Sequence, residues 1–483
     1  MVFPMIFGGF IEHFGKQIYG GVYDPESSLS DNSGFRIDVI EALKELKIPI
    51  IRWPGGCFVD GYHWMDGVGY NRKPRDDIRW GVIEPNTFGT HEFIELCKKI
   101  GAEPYICHNG LAEVKEMIDW VEYTNSTIGE FADLRKKNGY PNPLDVKIWS
   151  VGNERSGHDY IKKVRDASSA MKELDSNILV TCSGVHGNLE IDPYLFEEAG
   201  EYLDYISVHQ YWIENWEKLS KPNYLECMML SEKPEYFIEK VINQIKNAEN
   251  EGKIEKGKIK IAFDEWNLRS WHHPGFQRFE KVDYEDPEIV KLIKARDKSL
   301  NPSIYNLSDA LFSASFLNSC LRNSDYVTMA NIAPIVNQTG PLYVHPDGIV
   351  KRTHFHTLSM YVNELKEYVS DTDVISSKLF YGQDSVSVTD AVATVDKKGE
   401  KWAISILNRH PSEILECKIK LGNKLLNGTY NAKILTGKSY NSFNDINNPN
   451  NVFPKAIKLN FKNGITDIPP HSLTILQIEK LNI

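Results

Sequence analysis

The sequence lacks the features of disulfide-rich, membrane-spanning and disordered proteins. Its seven cysteines are an odd number, contain no CxxC pair and lie mostly in apolar segments, so we predict reduced thiols in the protein interior. The longest hydrophobic runs have the length of a strand, which is too short to span a bilayer. Hydrophobic residues make up 41% and charged residues 25% of the 483 residues, which excludes a disordered or collagen-like chain.

Concentrated positive charge is also missing. The formal net charge is −11 and no basic block stands out, which argues against a nucleic-acid partner. Two histidine pairs, at 272–273 and at 354 and 356, are not accompanied by an HExxH motif or a Cys/His cluster, so no metal site is predicted. The sequence has no glycine-rich phosphate loop either, so we expect no nucleotide and no other cofactor.

The first ten residues, MVFPMIFGGF, contain neither the basic n-region nor the small-residue cleavage site of a secretory signal. Two interpretations remain open, a cytoplasmic protein or a chain that lacks its leader. The absence of a disulfide pattern favours a reducing compartment, and we predict a cytoplasmic location.

Short apolar runs alternate with amphipathic helical segments over residues 1–370. Each run is followed by a stretch with apolar residues at i, i+3, i+4 and i+7, the period of a helix that packs on one face. Eight strand–helix units of this kind predict an α/β fold with a parallel sheet closed into a (β/α)8 TIM barrel. The eight predicted strands cover residues 5–10, 48–53, 102–107, 146–151, 178–183, 205–209, 258–263 and 326–330.

The pattern changes at residue 371. Residues 371–483 alternate apolar and polar positions between Asn, Gly and Pro turns, which predicts a C-terminal β-sandwich domain. Within the barrel domain, three long insertions at 54–89, 210–232 and 268–304 follow predicted strands at their carboxyl ends. Because barrel enzymes keep their active sites on that face, we expect these insertions to surround a functional site.

Two glutamates lie at the ends of predicted strands, Glu154 in WSVGNERSG and Glu265 in IAFDEWN. Each has an ordinary explanation, since Glu154 could begin a helix and the pair of Asp264 and Glu265 could supply an ion pair that closes the barrel. Asp264 fits that ion pair better, because neighbouring residues on a strand point to opposite sides. Together, the two glutamates face each other across the barrel mouth, as glycoside hydrolysis requires of its acid and its nucleophile.

Further polar and aromatic residues follow the predicted strands and suit a sugar, which offers hydroxyl groups at its edges and C–H groups on its faces. The candidate substrate-binding residues are Glu12, Cys57, Asn109, Asn153, His209 and Tyr211, with Asn331 in addition. For Asn109 and Asn331 a structural role is an equally good explanation, whereas Tyr211 is well placed to orient a nucleophile. A non-catalytic carbohydrate-binding protein is the alternative from another functional class, but it would need neither glutamate.

Several segments resemble the α-L-arabinofuranosidases of glycoside hydrolase family 51. They are GGFIEHFGKQIYGGVYDPES, RWPGGCFVDGYHWMDGVG, NTFGTHEFIELCKKIGAEPYI, WSVGNERSG, FDEWN and the terminal IPPHSLTILQI, in that order over almost the whole chain. The resemblance implies a barrel with a β-sandwich and hydrolysis with retention of the anomeric configuration. It also implies that Glu154 is the acid/base, that Glu265 is the nucleophile, and that Glu12, Asn153 and Tyr211 contact the furanose.

The resemblance also implies the substrate class. We expect an exo-acting enzyme that releases terminal arabinofuranose from arabinoxylan or arabinan oligosaccharides, with β-xylosidase or endo-β-glucanase activity on the same scaffold as the alternative. Family members often form hexamers, so a homo-oligomer is expected. The chain departs from the family pattern at Cys57, where many members have Asn, and at Pro334, where many have Gln. Because an acid must hold its proton while a nucleophile is ionised, we expect Glu154 to titrate above Glu265.

Overall fold

The structure is a computed structural model that describes residues 1–77, 79–186, 190–213, 223–270, 283, 285–297 and 300–479. Its strands are β1 (Gly8–Phe10), β2 (Ile50–Trp53), β3 (Arg75–Asp77), β4 (Val82–Glu84), β5 (Glu103–Cys107), β6 (Ile148–Val151), β7 (Leu179–His186), β8 (Tyr205–Ile213), β9 (Lys260–Arg269), β10 (Val327–Ile332), β11 (Leu342–His345), β12 (Gly348–Lys351), β13 (Tyr368–Ser370), β14 (Lys378–Tyr381), β15 (Asp384–Ser387), β16 (Thr389–Val395), β17 (Trp402–Asn408), β18 (Leu415–Lys418), β19 (Lys420–Leu421), β20 (Lys424–Leu425), β21 (Gly428–Leu435), β22 (Lys455–Phe461), β23 (Ile465–Ile468) and β24 (Ser472–Ile478). Its α-helices are α1 (Ile37–Glu45), α2 (Thr90–Ile100), α3 (Val114–Asn125), α4 (Glu130–Lys137), α5 (His158–Leu174), α6 (Pro193–Ala199), α7 (Tyr224–Met229), α8 (Lys233–Asn250), α9 (Pro287–Asp297), α10 (Leu307–Arg322) and α11 (Thr353–Glu364).

Eight parallel strands close into a barrel in the order β1-β10-β9-β8-β7-β6-β5-β2. Each of the eight predicted runs overlaps one of these strands, and the prediction of an α/β barrel is confirmed. The runs are continuously apolar because a parallel barrel strand is covered by helices on one face and by the barrel interior on the other. Closure also leaves the sheet without unpaired edges.

Strands β8 and β9 extend beyond the apolar runs that predicted them. Sequence reasoning ended these strands at residues 209 and 263, but they pair further, with His209 opposite Glu265 and Tyr211 opposite Asn267. Consequently Tyr211 and Glu265 lie within strands, and the insertions that follow begin later than predicted. The backbone ladder continues through polar residues because its hydrogen bonds do not depend on apolar side chains.

The barrel interior is apolar near the amino-terminal ends of its strands and polar toward their carboxyl-terminal ends. Its lower layer is formed by the side chains of Ile50, Tyr105, Ile148, Ala262 and Met329. Two residues further along the same strands, the buried side chains are those of Arg52, Cys107, Ser150, Asp264 and Asn331. Since a strand returns to the same face every second residue, this polar layer lies above the apolar one, toward the carboxyl ends of the strands.

The insertion at 54–89 folds over the loop that follows β1. It contains the hairpin β3–β4, and Glu84 of β4 lies 2.7 Å from His13 Nδ1 and accepts a hydrogen bond from the Tyr19 hydroxyl. Trp53 Nε1 donates to the other ring nitrogen of His13 at 2.8 Å, so Nδ1 carries the proton that is given to Glu84. These buried bonds fix the insertion against the β1 end of the barrel.

Helix α10 is buried over residues 307–321, with contacts to barrel strands and to the C-terminal sheet. Its first turn is closed by a capping box, in which Asn306 accepts from the Ser308 amide and Asp309 accepts from the Asn306 amide. Asp309 also forms a buried, two-point ion pair with Arg269 of β9, at 2.7 and 2.9 Å. The helix is therefore anchored to the strand that carries Glu265.

The C-terminal region forms antiparallel sheets, as the alternating pattern predicts. Six strands pair in the order β13-β16-β17-β24-β21-β22, and shorter ladders join β14 to β15, β18 to β23 and β19 to β20. Ile404, Tyr430 and Phe461 of the six-stranded sheet form a second core, against which Leu415 and Cys417 of β18 pack. Strand β13 belongs to this sheet although it precedes the predicted boundary at residue 371.

All seven cysteines are free thiols, as predicted. Five of them are buried, and Cys57 and Cys417 are partly exposed. Among the helices in the described ranges, none is both long enough and apolar enough to cross a membrane.

Candidate active site

Glu265 lies in the middle of β9, where both of its carboxylate oxygens are held by hydrogen bonds. Arg52 Nη1 donates to Oε1 at 2.6 Å, and the Tyr211 hydroxyl donates to Oε2 at 2.8 Å. Only 2% of the residue is exposed to solvent. Two donors fix the plane of the carboxylate and leave it facing the barrel interior.

Asp264 and Glu265 both face the barrel interior, which differs from the prediction that neighbours point to opposite sides. The reason is a register shift in the pairing of β8 with β9, where two residues of β9, Phe263 and Asp264, oppose one residue of β8, Val208. Such a bulge re-aims a side chain and is common beside active sites. As predicted, Asp264 is part of an ion pair, because its Oδ2 lies 3.3 Å from Arg52 Nε.

Arg52 of β2 is the centre of this network, and the sequence interpretation did not single it out. It is fully buried and contacts Glu265, Asp264 and Asn153, whose Oδ1 accepts from Nη2 at 2.7 Å. A buried guanidinium is stable only with such partners. A signal was present in the sequence, since Arg52 interrupts the otherwise apolar strand IIRW in the same way that Asp264 and Glu265 end the apolar run of β9.

His209 lies between the two candidate catalytic glutamates. Its Nδ1 is 3.0 Å from Glu154 Oε1 and 3.6 Å from Glu265 Oε1, and its Nε2 is 3.3 Å from Asp264 Oδ1. Burial alone would lower the pKa of the imidazole, but the charges of Glu265, Asp264 and Glu154 raise it to about 10. The ring is therefore protonated near neutral pH and acts as a second cation beside Arg52.

Glu154 follows β6 in a left-handed backbone conformation, with φ of 48°, which is uncommon for a residue with a side chain. Its side chain is 33% exposed and points toward His209. Burial alone would raise the pKa of this carboxyl group, but the hydrogen bond and charge of His209 outweigh burial and lower it to about 2. This direction is opposite to the one expected for a general acid, and the expectation that Glu154 titrates above Glu265 stays a prediction.

The polar side-chain atoms of Glu154, His209 and Glu265 are close together. One oxygen of Glu154, one nitrogen of His209 and one oxygen of Glu265 all lie within 4.8 Å of one another. Two carboxylates and an imidazole are also a common set of metal ligands. The arrangement suits chemistry between two carboxyl groups.

Glu12 lies on the wall next to Glu265. It is fully buried, and its Oε1 accepts from the Phe58 amide at 2.7 Å and from Trp80 Nε1 at 3.0 Å. Burial raises the pKa of this carboxyl group to about 8, and the two hydrogen bonds offset that effect only in part. Its other oxygen, Oε2, has no hydrogen-bond partner among the described residues, so it can receive a substrate hydroxyl.

The tight turn that PGG predicts brings the backbone against these carboxylates. A Cβ atom on Gly56 would lie 2.9 Å from Glu265 Oε1 and 3.6 Å from Glu12 Oε1, so only glycine permits this approach. Cys57 begins the short helix that follows. Burial raises the pKa of its thiol well above the usual value, and the nearby charges of Glu154 and Glu12 raise it further.

The remaining predicted residues divide into those at the network and those beside it. Asn153 lies in the network through Arg52. Asn109 has both ends of its amide bound to nearby backbone, to Tyr62 O at 3.3 Å and to the Leu111 amide at 2.8 Å, and so shapes its loop. Asn331 lies within β10, opposite Gly8, and is buried without a hydrogen-bond partner among the described residues. The pairing of β10 with β9 places it level with Asp264 and Glu265.

Two more residues of the site escaped sequence reasoning. Trp80 lies in the long insertion and its indole orients Glu12, whereas nothing in the local sequence marks that pairing. His186 ends β7 opposite His209, and burial lowers the pKa of its ring although the charge of Glu154 acts in the other direction. The places of Trp80 and His186 in the site depend on contacts between segments that are distant in the sequence.

Comparison with known proteins agrees with this geometry. The model of the α-L-arabinofuranosidase 1 domain matches residues 42–226, and that of the α-L-arabinofuranosidase C-terminal domain matches residues 264–472. The chain is 34% identical to α-L-arabinofuranosidase C of Emericella nidulans, over 86% of this chain and 84% of that protein. It is 32% identical to an intracellular exo-α-(1→5)-L-arabinofuranosidase of Acetivibrio thermocellus, over 84% and 82%.

Solved structures of α-L-arabinofuranosidases also resemble this chain. The α-L-arabinofuranosidase of Thermotoga maritima, in complex with arabinose, superimposes with a TM-score of 0.82 at 31% identity, covering 99% of this chain and 97% of that one. A family 51 α-L-arabinofuranosidase of Bifidobacterium longum gives 0.85 at 26% identity, covering 99% and 96%. The chain is therefore a glycoside hydrolase that belongs to the family 51 α-L-arabinofuranosidases.

Proposed function

We propose that the protein is a retaining, exo-acting α-L-arabinofuranosidase that releases terminal arabinofuranose from arabinoxylan or arabinan oligosaccharides by double displacement. The observation that carries the proposal is the separation of Glu154 and Glu265. Oxygens of the two carboxyl groups lie within 4.8 Å of one another. Retaining glycosidases hold these groups about 5–5.5 Å apart, whereas inverting enzymes leave room for a water molecule between them.

In the first step, Glu265 attacks the anomeric carbon of the bound α-L-arabinofuranoside. Arg52 and Tyr211 hold its oxygens in place, which preorganises the attack. Glu154 gives a proton to the glycosidic oxygen, and the bond from the anomeric carbon to that oxygen breaks. The product of this step is a β-linked glycosyl-enzyme ester and a free alcohol.

The proton of the first step is the one that Glu154 and His209 share. In the free site His209 Nδ1 lies 3.0 Å from Glu154 Oε1. When a glycosidic oxygen reaches Glu154, we infer that this proton passes through the carboxyl group to the leaving oxygen. In the second step Glu154 takes a proton from water, whose oxygen attacks the anomeric carbon, releases Glu265 and restores the α configuration.

The substrate contacts are also a proposal. Glu12, Cys57 and Asn153 lie around Glu265 and are supported as furanose contacts by their position, and the unpartnered Oε2 of Glu12 supports this role most directly. A cytoplasmic location is supported by seven free thiols and by the printed name of the Acetivibrio thermocellus relative, which is called intracellular. The expected homo-oligomer stays a prediction.

A proton NMR experiment tests the stereochemistry. During hydrolysis of 4-nitrophenyl α-L-arabinofuranoside, the α anomer of arabinose should appear first and the β anomer only later by mutarotation. Appearance of the β anomer first would contradict the retaining mechanism. In parallel, the enzyme should cleave this substrate in preference to 4-nitrophenyl β-D-xyloside, and the opposite preference would favour the β-xylosidase alternative.

A further inference from the structure

Asp60 and Arg155 form a buried ion pair beside the site that the mechanism does not use. Arg155 Nη2 lies 2.6 Å from Asp60 Oδ2, and Arg155 Nε donates to Asp60 Oδ1 at 3.2 Å. The side chains of Asp60 and Arg155 are only 4% and 15% exposed. Because water screens it little, this two-point contact constrains both partners more than a surface ion pair would.

The ion pair joins two segments that carry residues of the site. Arg155 directly follows Glu154, the proposed acid/base. Asp60 lies in the short helix Cys57–Gly61, one of whose backbone amides donates to Glu12 Oε1 at 2.7 Å. The pair therefore connects the loop that follows β6 to the insertion that holds Glu12, across 95 residues of sequence.

The aliphatic part of the Arg155 side chain covers a close approach of two loops. Gly110 follows β5 and Gly152 follows β6. A Cβ atom on Gly110 would lie 3.1 Å from Gly152 Cα and 3.2 Å from Arg155 Cγ, so the two backbones and the arginine are packed against one another. The loops after β2, β5 and β6 thus meet at the Arg155 side chain.

Glu154 needs such support because its backbone is in the left-handed region, with φ of 48°. A residue with a side chain keeps this strained conformation only where its surroundings hold it. On one side of Glu154, Asn153 Oδ1 accepts from Arg52 Nη2 at 2.7 Å. On the other side, Arg155 is bound to Asp60. Glu154 therefore lies between two fixed neighbours.

We propose that Asp60 and Arg155 are positioning residues that hold Glu154 at the place from which it protonates the leaving oxygen. The pair acts through the backbone of Glu154 and does not itself touch the reacting atoms. This inference rests on the proposed retaining mechanism, in which Glu154 is the acid/base. Because a displacement of about 1 Å can lower the rate of a catalysed step about 10²-fold, loss of the pair should be visible in the step that needs the proton.

The test measures how kcat/KM depends on the leaving group in a series of aryl α-L-arabinofuranosides, from phenyl through 4-nitrophenyl to dinitrophenyl. In the proposed mechanism kcat/KM reports the glycosylation step, in which a poor leaving group needs the proton of Glu154 and a good one does not. In Asp60→Asn and in Arg155→Gln, kcat/KM should fall about 10- to 100-fold on the phenyl substrate and less than about threefold on the dinitrophenyl substrate. Glu154→Ala provides the upper limit of this dependence.

Two further variants separate the position of Glu154 from charge and from stability. Arg155→Lys keeps the charge but not the planar fork, so its leaving-group dependence should lie between those of the wild type and Arg155→Gln. The double variant Asp60→Asn/Arg155→Gln leaves no buried charge without a partner. Its Tm should therefore recover toward the wild-type value, whereas its leaving-group dependence should stay steep.

Arg36→Gln is the matched control. Arg36 is buried and forms a similar two-point pair with Asp38, at 2.9 and 2.7 Å, but its other contacts are with the β11–β12 hairpin. This variant should lower the Tm and keep the wild-type leaving-group dependence, because its contacts lie outside the candidate active site.

The possible outcomes separate this inference from the proposed function. A wild-type leaving-group dependence in the Asp60 and Arg155 variants, or an equal loss on every substrate, would overturn the positioning role and leave the arabinofuranosidase function standing. If a single variant does not fold, the double variant decides by the same readout. If Glu154→Ala shows no steeper dependence than the wild type, or if the wild type hydrolyses none of the arabinofuranosides, the proposed function itself fails and this inference fails with it.

Discussion

The protein contains two clusters of buried charge that differ in how completely their charges are paired. The mouth cluster consists of Arg52, Glu154, His209, Asp264 and Glu265. Two cations there face three carboxylates, and the fourth carboxyl group, Glu12, lies against them with one oxygen unpartnered in the described part of the chain. The mouth cluster therefore carries a surplus of acceptors.

The seam cluster lies where α8 and α10 meet the C-terminal sheet and consists of Glu235, Arg322, Asp390 and Arg409. Arg322 donates twice to Glu235, at 2.9 and 2.6 Å, and once to Asp390 at 2.8 Å. Arg409 Nη2 lies 3.4 Å from the other oxygen of Asp390. Arg409 also lies 3.7 Å from Glu232, which pairs with Lys378, so with these two residues included three cations face three carboxylates and the cluster is neutral.

The difference indicates different roles. In the seam cluster every charge has an opposite partner, which holds the C-terminal sheet against the barrel but leaves no group free to react. In the mouth cluster the surplus negative charge suits a positively charged, oxocarbenium-like transition state and a proton that moves between groups. Substitutions should therefore affect activity at the mouth and stability at the seam.

The largest effect should follow removal of the nucleophile. Glu265→Ala deletes the atom that forms the glycosyl-enzyme bond, so kcat should fall by several orders of magnitude, about 10⁴ or more, on every arabinofuranoside. Glu154→Ala removes only proton transfer. Its glycosylation step should survive far better on a dinitrophenyl arabinofuranoside, whose leaving group needs little protonation, than on an oligosaccharide.

Azide distinguishes the roles of the two glutamates. In Glu154→Ala, azide should attack the β-linked intermediate and give the α-azide after two inversions. In Glu265→Ala, azide should attack the α substrate directly and give the β-azide after one inversion. NMR of the azide products identifies both, and the reversed pairing would exchange the roles assigned here.

Arg52 should come next in the size of its effect. Arg52→Gln removes the cation that holds Glu265 and Asp264, and two buried carboxylates are then left with too few partners. We expect kcat/KM to fall about 10²–10³-fold, a size typical of the loss of one preorganised donor, together with a lower Tm. Arg322→Gln, the same substitution in the seam cluster, is the matched control. Equal activity losses in the two variants would contradict the division of roles.

The fold could be predicted from the sequence more completely than the candidate active site. The barrel follows from eight apolar runs separated by helical periods, because hydrophobic burial sets both. Glu154 and Glu265 were found because a charged residue directly after an apolar run is conspicuous. Tyr211 and Glu265 were nevertheless placed after their strands, since backbone pairing continues past the point where apolar residues stop.

Contacts between distant segments could not be foreseen. The bulge that turns both Asp264 and Glu265 inward depends on the pairing of β9 with β8. The residues of IAFDEWN alone do not predict it. Likewise, the proton on His209 results from three carboxylates of two other segments. Arg52 is different, because a charge inside IIRW was visible in the sequence and its burial could have been inferred.

The surplus of carboxyl groups at the mouth cluster can be tested through the effect of Glu12 on the pH dependence of stability. Burial raises its pKa from 4.5 to about 8, so between these values the folded protein binds a proton that the unfolded chain does not. Stability should therefore fall as pH rises from about 4.5 to about 8. Glu12→Gln cannot ionise, and its Oε1 can still accept from Phe58 and Trp80. The Tm of the variant should exceed that of the wild type by several degrees at pH 8, with a smaller difference at pH 5. A constant difference across this range would contradict the raised pKa.

The smallest effect should be at the seam. Arg322 is 30% exposed, and Asp390 keeps Asn318 and Arg409 as partners when Arg322 is changed. Arg322→Gln should therefore lower the free energy of unfolding by only about 1 kcal/mol, visible as a small decrease in Tm at low salt that shrinks as salt is added. Values of kcat and KM for an aryl arabinofuranoside should stay at wild-type levels, because no atom of the seam cluster belongs to the mouth cluster. A change in kcat without a change in Tm would show that the two clusters are coupled, most directly through α10, which contacts both the C-terminal sheet and β9.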